Sequence, residues 1–321
     1  MRRDWSLWAM LAATIFLLPL FVKSPYYFSV LIFIAIYGMI VLGLTMLMGY
    51  AGQISLGHAA FFGLGAYFSS ILTLHLHLNP WLAMLMGLVA TVLIAFLLGI
   101  PTLKLHGHYL AMATLGLGIV LQIIFKEEVE LTGGPTGLTG IPALTAFGIT
   151  FSNDRTFYFL AWIFMLALLG LSINLVHSRT GRALRAISQS QVAAGTLGIP
   201  VNRLKLSVFA LSAGYASIAG SLYAHYLAFV NPTPFGFLVS VKLVAMVVIG
   251  GSASLWGALL GTTLLVSLPE FLTRLQDYEM VIYGAILILV MMFAPRGLTG
   301  IAGKIFELLH GLTRGKNAQA A

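Results

Sequence analysis

Apolar segments long enough to cross a lipid bilayer recur along the whole of this 321-residue chain. A transmembrane helix needs about 20 consecutive, mainly apolar residues. Ten segments come close to this length: Trp5 to Val22 and roughly 27–48, 56–76, 81–101, 108–125, 156–177, 206–228, 237–253, 256–272 and 280–294. Because lipid leaves backbone polar groups without partners unless they pair internally, such segments are expected to be helical. The sequence therefore predicts an all-α integral membrane protein with about ten transmembrane helices.

The composition agrees with a membrane protein. Hydrophobic residues make up 60% of the chain and charged residues 8%, against about 25% charged residues in soluble domains. The net charge of +8 comes from cations at segment ends and in loops, a distribution that directs topology and does not indicate a nucleic-acid partner. The first apolar run is longer than the core of a signal peptide, so we expect it to be a retained span.

The distribution of charge predicts the orientation. With the N-terminus in the cytoplasm, twelve Lys and Arg residues and two acids fall on the inner side, and four cations and seven acids fall outside. This satisfies the positive-inside rule and places both termini in the cytoplasm. The segment from Arg179 to Lys205 carries five cations and no acid, so it is predicted to be a cytoplasmic loop. The acid-rich loop at about 126–155 is predicted to be external.

Motifs for catalysis are missing from the sequence. No P-loop is found, and Gly303-Lys304-Ile305 lacks both the leading glycine and the final hydroxyl of that motif. A nucleophile elbow and a zinc-binding His pair with an adjacent Glu are absent as well. The chain has no cysteine, which excludes disulfides, thiolate metal sites and thiol nucleophiles. We therefore expect neither an enzyme nor a bound metal or other cofactor.

The segment Gly49 to Gly65, GYAGQISLGHAAFFGLG, contains five glycines, more than an ordinary helix carries. It is predicted either to be a broken or re-entrant helix or to pack closely against a neighbour. Small residues four positions apart also predict tight helix packing elsewhere. These sets are Ser212/Ala216/Gly220, Ala213/Ser217/Ser221 and Gly257/Gly261.

Polar groups at membrane depth are candidates for a translocation path, because burying a polar side chain in the membrane costs free energy and therefore indicates a function. The candidates are Lys242, His225, Glu270, Gln53 and His58. Lys242 has an alternative role, since its long side chain can also reach the membrane surface.

Six motifs in order along the chain resemble the LivM-type permease subunits of branched-chain amino acid ABC importers. They are GYAGQISLGHAAFFGLGAY (49–67), TGGPTGLTGIP (132–142), GRALRAI (181–187), AAGTLGIPVNRLKL (193–206), VVIGGSASLWGALLG (247–261) and APRGLTG (294–300). The resemblance implies a single transmembrane permease domain over residues 1–321 in a bacterial inner membrane. It also implies three kinds of partner: a second permease chain, either LivH-like or a second copy; two cytoplasmic ATPase subunits that use ATP and Mg²⁺; and an external substrate-binding protein.

The resemblance also places a coupling helix, which would dock into the ATPase subunits, at about 187–197 within a coupling loop at about 178–205. Gly198-Ile199-Pro200 would end this helix. The coupling residues it implies are Arg182, Arg185, Gln191, Ala193, Ala194, Leu197 and Gly198. The family usually has acidic residues before the Ala-Ala pair, whereas this chain has Ser188-Gln189-Ser190-Gln191, which puts a salt bridge to the ATPase in doubt.

The identity of the cargo stays open at the level of sequence. A path lined by Phe, Met, Gly and a few polar groups suits a branched-chain amino acid, but it suits urea or a short amide as well. A secondary transporter would need ion-coordinating or proton-relay residues inside the spans. The anions lie almost entirely in the predicted loops.

Overall fold

The computed structural model describes residues 2–21, 24–102, 105, 107–146 and 148–271, with isolated positions between 281 and 300. The long helices are α1 (Arg2–Phe21), α2 (Pro25–Thr45), α3 (His58–His75), α4 (Pro80–Thr102), α5 (His108–Glu127), α7 (Asp154–His177), α10 (Val201–Leu227), α11 (Phe237–Gly250) and α12 (Leu255–Phe271). The shorter ones are α6 (Val129–Thr132), α8 (Arg179–Gln189) and α9 (Gln191–Thr196). Each of the first nine predicted segments coincides with one of the long helices, and the tenth, at 280–294, lies largely outside the described residues.

Five helices are long and apolar enough to cross a membrane by themselves. They are Pro25–Tyr50, which is α2 with the π-helical turn Met46–Tyr50 that extends it, and α4, α5, α7 and α10. The apolar parts of α1, α11 and α12 are shorter, at Asp4–Leu20, Phe237–Gly250 and Leu255–Pro269 respectively. The architecture is that of a multi-pass, all-α membrane protein.

The centre of the molecule is formed by α2, α3 and α10. α3 and α10 run in the same direction and approach closely, because a Cβ at Gly65 would collide with the Ser217 backbone and one at Gly220 with the Phe62 carbonyl. In the same way, Gly261 lies against the backbone of α11. The packing predicted from the small-residue spacing is thus confirmed.

α1 packs against α7. The indole of Trp8 donates to the Leu166 carbonyl at 3.0 Å, and Tyr158 donates to the Ile15 carbonyl at the same distance. At the end of α7, His177 Nε2 lies 3.2 Å from a carboxylate oxygen of Asp4.

The predicted external loop contains most of the short β-structure. Strand β1 (Leu138–Thr139) pairs antiparallel with β4 (Phe229–Val230), which follows α10, and β2 (Thr145–Ala146) pairs with β3 (Ile149–Thr150). The loop is thereby attached to the end of α10.

The helical path is interrupted between α2 and α3. Residues 51–57, which we name the interrupted segment, form neither helix nor strand. Its first residues remain bonded to the π-helical turn that extends α2, with Ala51 N donating to the Met46 carbonyl and Gln53 N to the Leu47 carbonyl. The glycine-rich region therefore combines an interrupted helix with close helix packing.

Candidate functional site

The polar segment between α7 and α10 begins with a helix that sequence patterns had assigned to a loop. Ser178 caps α8, its hydroxyl accepting a hydrogen bond from Gly181 N at 3.3 Å. The buried residues Gly181, Leu184 and Ile187 are three apart and lie on one face. This face seats α8 against the rest of the molecule.

Arg182 and Arg185 attach α8 to the end of α7. Their guanidinium groups donate to the carbonyls of His177 at 3.3 Å and Val176 at 3.1 Å. Carbonyls at a helix C-terminus lack partners within the helix and carry partial negative charge, so cations are favourable there. These two predicted coupling residues thus also hold the base of the coupling region in place.

The predicted single helix at 187–197 is wrong in its bounds. Ser190 has an extended backbone that separates α8 from α9, and its hydroxyl accepts from Ala193 N at 3.2 Å as the cap of α9. Serine favours this cap position over the helix interior, which explains the break.

The predicted end of the helix at Gly198 is confirmed. Gly198 N donates to the Gly195 carbonyl and Ile199 N to the Ala194 carbonyl, and Gly198 has φ +78°. This is a Schellman motif, which needs a left-handed residue after the helix.

The two faces of α9 differ sharply in exposure. The side chains of Val192 and Leu197 are 80% and 79% exposed, whereas Ala194 is 2% exposed. Ala193 lies on the exposed side with Val192. Ala194, predicted to contact a partner, therefore belongs to the inner face that seats α9.

A buried cation joins α9 to α10. Lys205 on α10 is 1% exposed, and its Nζ donates to Gln191 Oε1 at 3.4 Å. No acidic partner of Lys205 is found among the described residues. Gln191, predicted to contact a partner protein, binds within its own chain.

The interrupted segment touches α8 at its start. A Cβ built at Gly52, whose φ is +66°, would lie 3.3 Å from both Cα and Cβ of Ser188. Glycine is thus favoured at this position both by its backbone conformation and by the closeness of α8.

The other end of the segment enters a buried polar cluster, defined as Ser55, His58, Thr114, Ser212 and Ser240. His58 bonds through Nδ1 to the Ser55 hydroxyl at 2.8 Å and through Nε2 to the Ser212 hydroxyl. Backbone N–H groups at the start of α3 are satisfied by side chains, Leu56 N by Thr114 Oγ1 and Ala59 N by Ser240 Oγ, both at 3.1 Å. The cluster joins four helices, namely α3, α5, α10 and α11.

The structure separates the candidate path residues. His58 and Gln53 are buried inside the chain near the interrupted segment. His225 lies near the end of α10, where Nδ1 donates to the Pro142 carbonyl at 2.7 Å and Nε2 accepts from Ser69 at 2.8 Å. Lys242 is half-buried on α11, and the Glu270 side chain lies outside the described residues.

An apolar groove of about 550 Å³ lies between α4, α7 and α10. Its walls include Val89, Leu93, Leu171 and Gly214, and its lining surface is almost wholly apolar. Such a groove offers little to the charged ends of an amino acid. Within the described ranges, no group of three His, Asp or Glu side chains is placed to hold a metal ion.

Comparison with known protein families decides the identity. The family described as branched-chain amino acid transport system / permease component matches residues 26–291, which is most of the chain. The chain belongs to this family of permeases. The helices from α3 to α12, and all of α2 except Pro25, lie within the matched range, so the family match covers both the interrupted segment and the coupling region.

Individual relatives agree with the family assignment. The permease is 33% identical over 306 residues to the high-affinity branched-chain amino acid transport system permease protein LivM of Salmonella typhimurium, and 34% identical over 307 residues to LivM of Escherichia coli K12. Each alignment covers 88% of this chain and 72% of the relative. LivH of Escherichia coli K12 is 29% identical over 287 residues, covering 82% of this chain and 91% of the relative. No solved structure matches the permease at a significant level.

Proposed function

We propose that this permease is one of two membrane subunits of an ATP-driven importer of branched-chain amino acids in a bacterial inner membrane. The cargo is inferred from the relatives, whose names assign them to high-affinity branched-chain amino acid transport. The similarity to both LivM and LivH supports pairing with a second permease chain. In this proposal a separate binding protein delivers the substrate from outside.

The charge pattern supports a topology of ten spans with both termini in the cytoplasm. In this proposal the nine long helices form nine of the spans. The basic segment with α8 and α9 is then cytoplasmic, and the loop with β1, β2 and β3 is external.

The observation that carries the proposal is the exposure of two apolar side chains, one near each end of α9. Val192 and Leu197 are the most exposed large apolar side chains among the described residues, yet they stand on a polar, basic segment. Protein interfaces typically have apolar side chains at their centre and polar residues around them. We infer that the ATPase subunits hold α9 there and supply ATP and Mg²⁺ chemistry that this chain does not perform.

The proposed docking surface is smaller than the sequence implied. It consists of Val192, Ala193, Leu197 and Gly198, with Arg182 and Arg185 at its base. Ala194 and Gln191 support this surface from inside the chain. Because Ser188-Gln189-Ser190-Gln191 stands where the family usually has acidic residues, we propose that apolar contacts take the place of a salt bridge to the ATPase.

For the path itself, Lys242 remains a candidate because it is half-buried near the start of α11. Glu270 stays a candidate from sequence. Gln53, His58 and His225 are buried inside this chain, so we propose that they shape the path by positioning helices rather than by lining it.

The direct test is uptake by the assembled importer in proteoliposomes that contain ATP and Mg²⁺ in the lumen, with the binding protein outside. We expect leucine, isoleucine and valine uptake that needs ATP and persists when a protonophore collapses the proton gradient. Uptake abolished by the protonophore in the presence of ATP would contradict the proposal in favour of a secondary transporter. Inhibition of leucine uptake by excess urea would contradict the assignment of the cargo.

A further inference from the structure

We infer that the interrupted segment, residues 51–57, transmits movement of the coupling region to the buried polar cluster at the start of α3. Gly52 is its point of contact with α8. The inference rests on the proposed function, because it takes α8 and α9 to be moved by the ATPase subunits. The structural observation behind it is that this short segment touches α8 at one end and the polar cluster at the other.

At the α8 end, the contact is backbone against backbone. Ser188 lies in the last turn of α8, and a Cβ at Gly52 would lie 3.3 Å from the Ser188 Cα and Cβ. This separation is tighter than ordinary van der Waals contact between side chains. A displacement of α8 toward the membrane therefore reaches Gly52 without a flexible side chain between them.

The segment then rises well into the membrane-spanning part of the protein. His58 bonds to Ser212, which is eleven residues from the start of α10 at Val201. At 1.5 Å per residue, this places the start of α3 roughly 16 Å along α10. Seven residues in an extended chain span at most about 23 to 25 Å, so the interrupted segment is long enough to cover a rise of this size.

At the end that enters the polar cluster, the segment fixes the position of the first residues of α3. Ser55 bonds to His58, Leu56 N bonds to Thr114 on α5, and Ala59 N bonds to Ser240 on α11. The first bond joins the segment to α3 itself, and the other two fix the start of α3 to α5 and to α11. A shift of the segment must change these bonds, and with them the relative positions of α3, α5 and α11.

The buried side chain of Gln53 makes the present arrangement of the segment less stable than one in which its amide is hydrogen-bonded. Its side chain is 1% exposed, and within the described residues neither carboxamide atom has a hydrogen-bond partner. A buried, unpaired polar group costs about 1 to 3 kcal/mol. An arrangement that pairs this amide with water or another side chain would recover that energy, which favours a second arrangement of the segment during transport.

The absence of cysteine from the chain allows a direct test by cross-linking. In the Gly52→Cys/Ser188→Cys variant the two Cβ atoms would be close to the 3.5 to 4.5 Å that a disulfide requires. Mild oxidation with copper phenanthroline removes two electrons and two protons from the thiols, and a maleimide reagent reports the thiols that remain. We measure leucine uptake and ATP hydrolysis in the assembled importer, before oxidation, after it, and after reduction.

The disulfide holds Gly52 and Ser188 at one fixed separation, so it prevents the segment from reaching a second arrangement relative to α8. We therefore expect oxidation to lower the amount of leucine imported per ATP hydrolysed at least fivefold, and reduction to restore it. Each single-cysteine variant should show the same ratio before and after oxidation, whatever the ratio with which it starts. A cross-linked protein that transports as well as its reduced form would overturn the inference. Failure of the wild-type complex to show ATP-driven uptake would instead overturn the proposed function, so the two failures are distinguishable.

A matched pair of glycine variants repeats the test without a cross-link. Gly52→Ala and Gly140→Ala both place a side chain at positive φ, +66° and +74°, but the space around Gly140 is open. We expect Gly52→Ala to lower uptake per ATP while Gly140→Ala does not. Because a purely structural defect would reduce transport and hydrolysis together, an unchanged ratio in Gly52→Ala would contradict the inference.

Discussion

Lys205 and Gln191 form a hydrogen bond across 3.4 Å that joins α10 to α9, and the cation in this pair is buried. The amide of Gln191 satisfies one of the three donors of the ammonium group but does not neutralise its charge. The position of α9 therefore depends on a weak bond to a costly buried group.

The first prediction concerns this pair. Replacing Gln191 by Glu supplies a carboxylate to the buried ammonium group, and hydrogen bonds between charged groups are stronger than neutral ones by about 1 kcal/mol. We expect Gln191→Glu to raise the melting temperature of the detergent-solubilised permease by about 2 °C. The control is Gln189→Glu, which adds the same charge at an exposed position and should leave the melting temperature unchanged. If the two variants shifted the melting temperature equally, or if Gln191→Glu lowered it, the proposed pairing of residue 191 with the buried Lys205 would be contradicted.

The second prediction concerns His58. Ser212→Ala removes the hydroxyl bound to Nε2 and leaves a buried ring nitrogen without that partner, at a cost of about 1 to 3 kcal/mol. We expect a lower melting temperature than in Ser207→Ala, whose hydroxyl is exposed and bonds only to the Arg203 carbonyl one turn earlier. Equal melting temperatures in the two variants would mean that His58 does not depend on Ser212.

The third prediction separates the two faces of α9. Ala194→Glu places a charge in a buried position, so it should reduce the yield of folded permease even when no ATPase is present. Ala193→Glu places the same charge on the exposed face, so we expect normal folding but weaker association with the ATPase subunits. Size-exclusion chromatography of the permease alone and of the complex measures both effects. Equal behaviour of the two variants would contradict the assignment of the faces.

The fourth prediction concerns topology. Thr139 in the predicted external loop and Gln189 at the end of α8 are both exposed, and the chain has no other thiol to interfere. We expect a membrane-impermeant maleimide to label Thr139→Cys in intact spheroplasts and to label Gln189→Cys only after the membrane is opened. The reverse pattern would place the coupling region outside and rule out an ATPase contact there.

The long helices were predictable because an apolar run of about 20 residues has few alternatives to a membrane helix. α8 was not predicted, because its buried face consists only of Gly181, Leu184 and Ile187 within a polar, basic segment that was read as a loop. The sequence signal for the starts of α8 and α9 is the pair of capping serines, Ser178 and Ser190. The hydroxyl of each accepts a hydrogen bond from the backbone N–H three residues later.

The polar cluster could be predicted only in part. The glycines around His58 indicated an unusual backbone, but Ser212 lies 154 residues away in the sequence and no local pattern pairs the two. The same limit applies to the contact between Gly52 and Ser188, which depends on how α8 packs below α2. The roles of Ala194 and Gln191 were predicted from motif positions, which do not reveal the direction in which a side chain points.

The most direct test of the central claim is how much ATPase co-purifies with a permease that carries Leu197→Asp. This variant places a charge on the exposed apolar end of α9, where folding of the permease does not depend on the side chain. The measurement is the ratio of ATPase to permease after affinity purification through the permease, with Thr196→Asp as an exposed control on the same helix. We predict at least a tenfold loss of ATPase in Leu197→Asp, a smaller loss in the control, and loss of leucine uptake in proportion. A full complement of ATPase and normal uptake in Leu197→Asp would contradict the claim that the ATPase subunits drive this permease through α9.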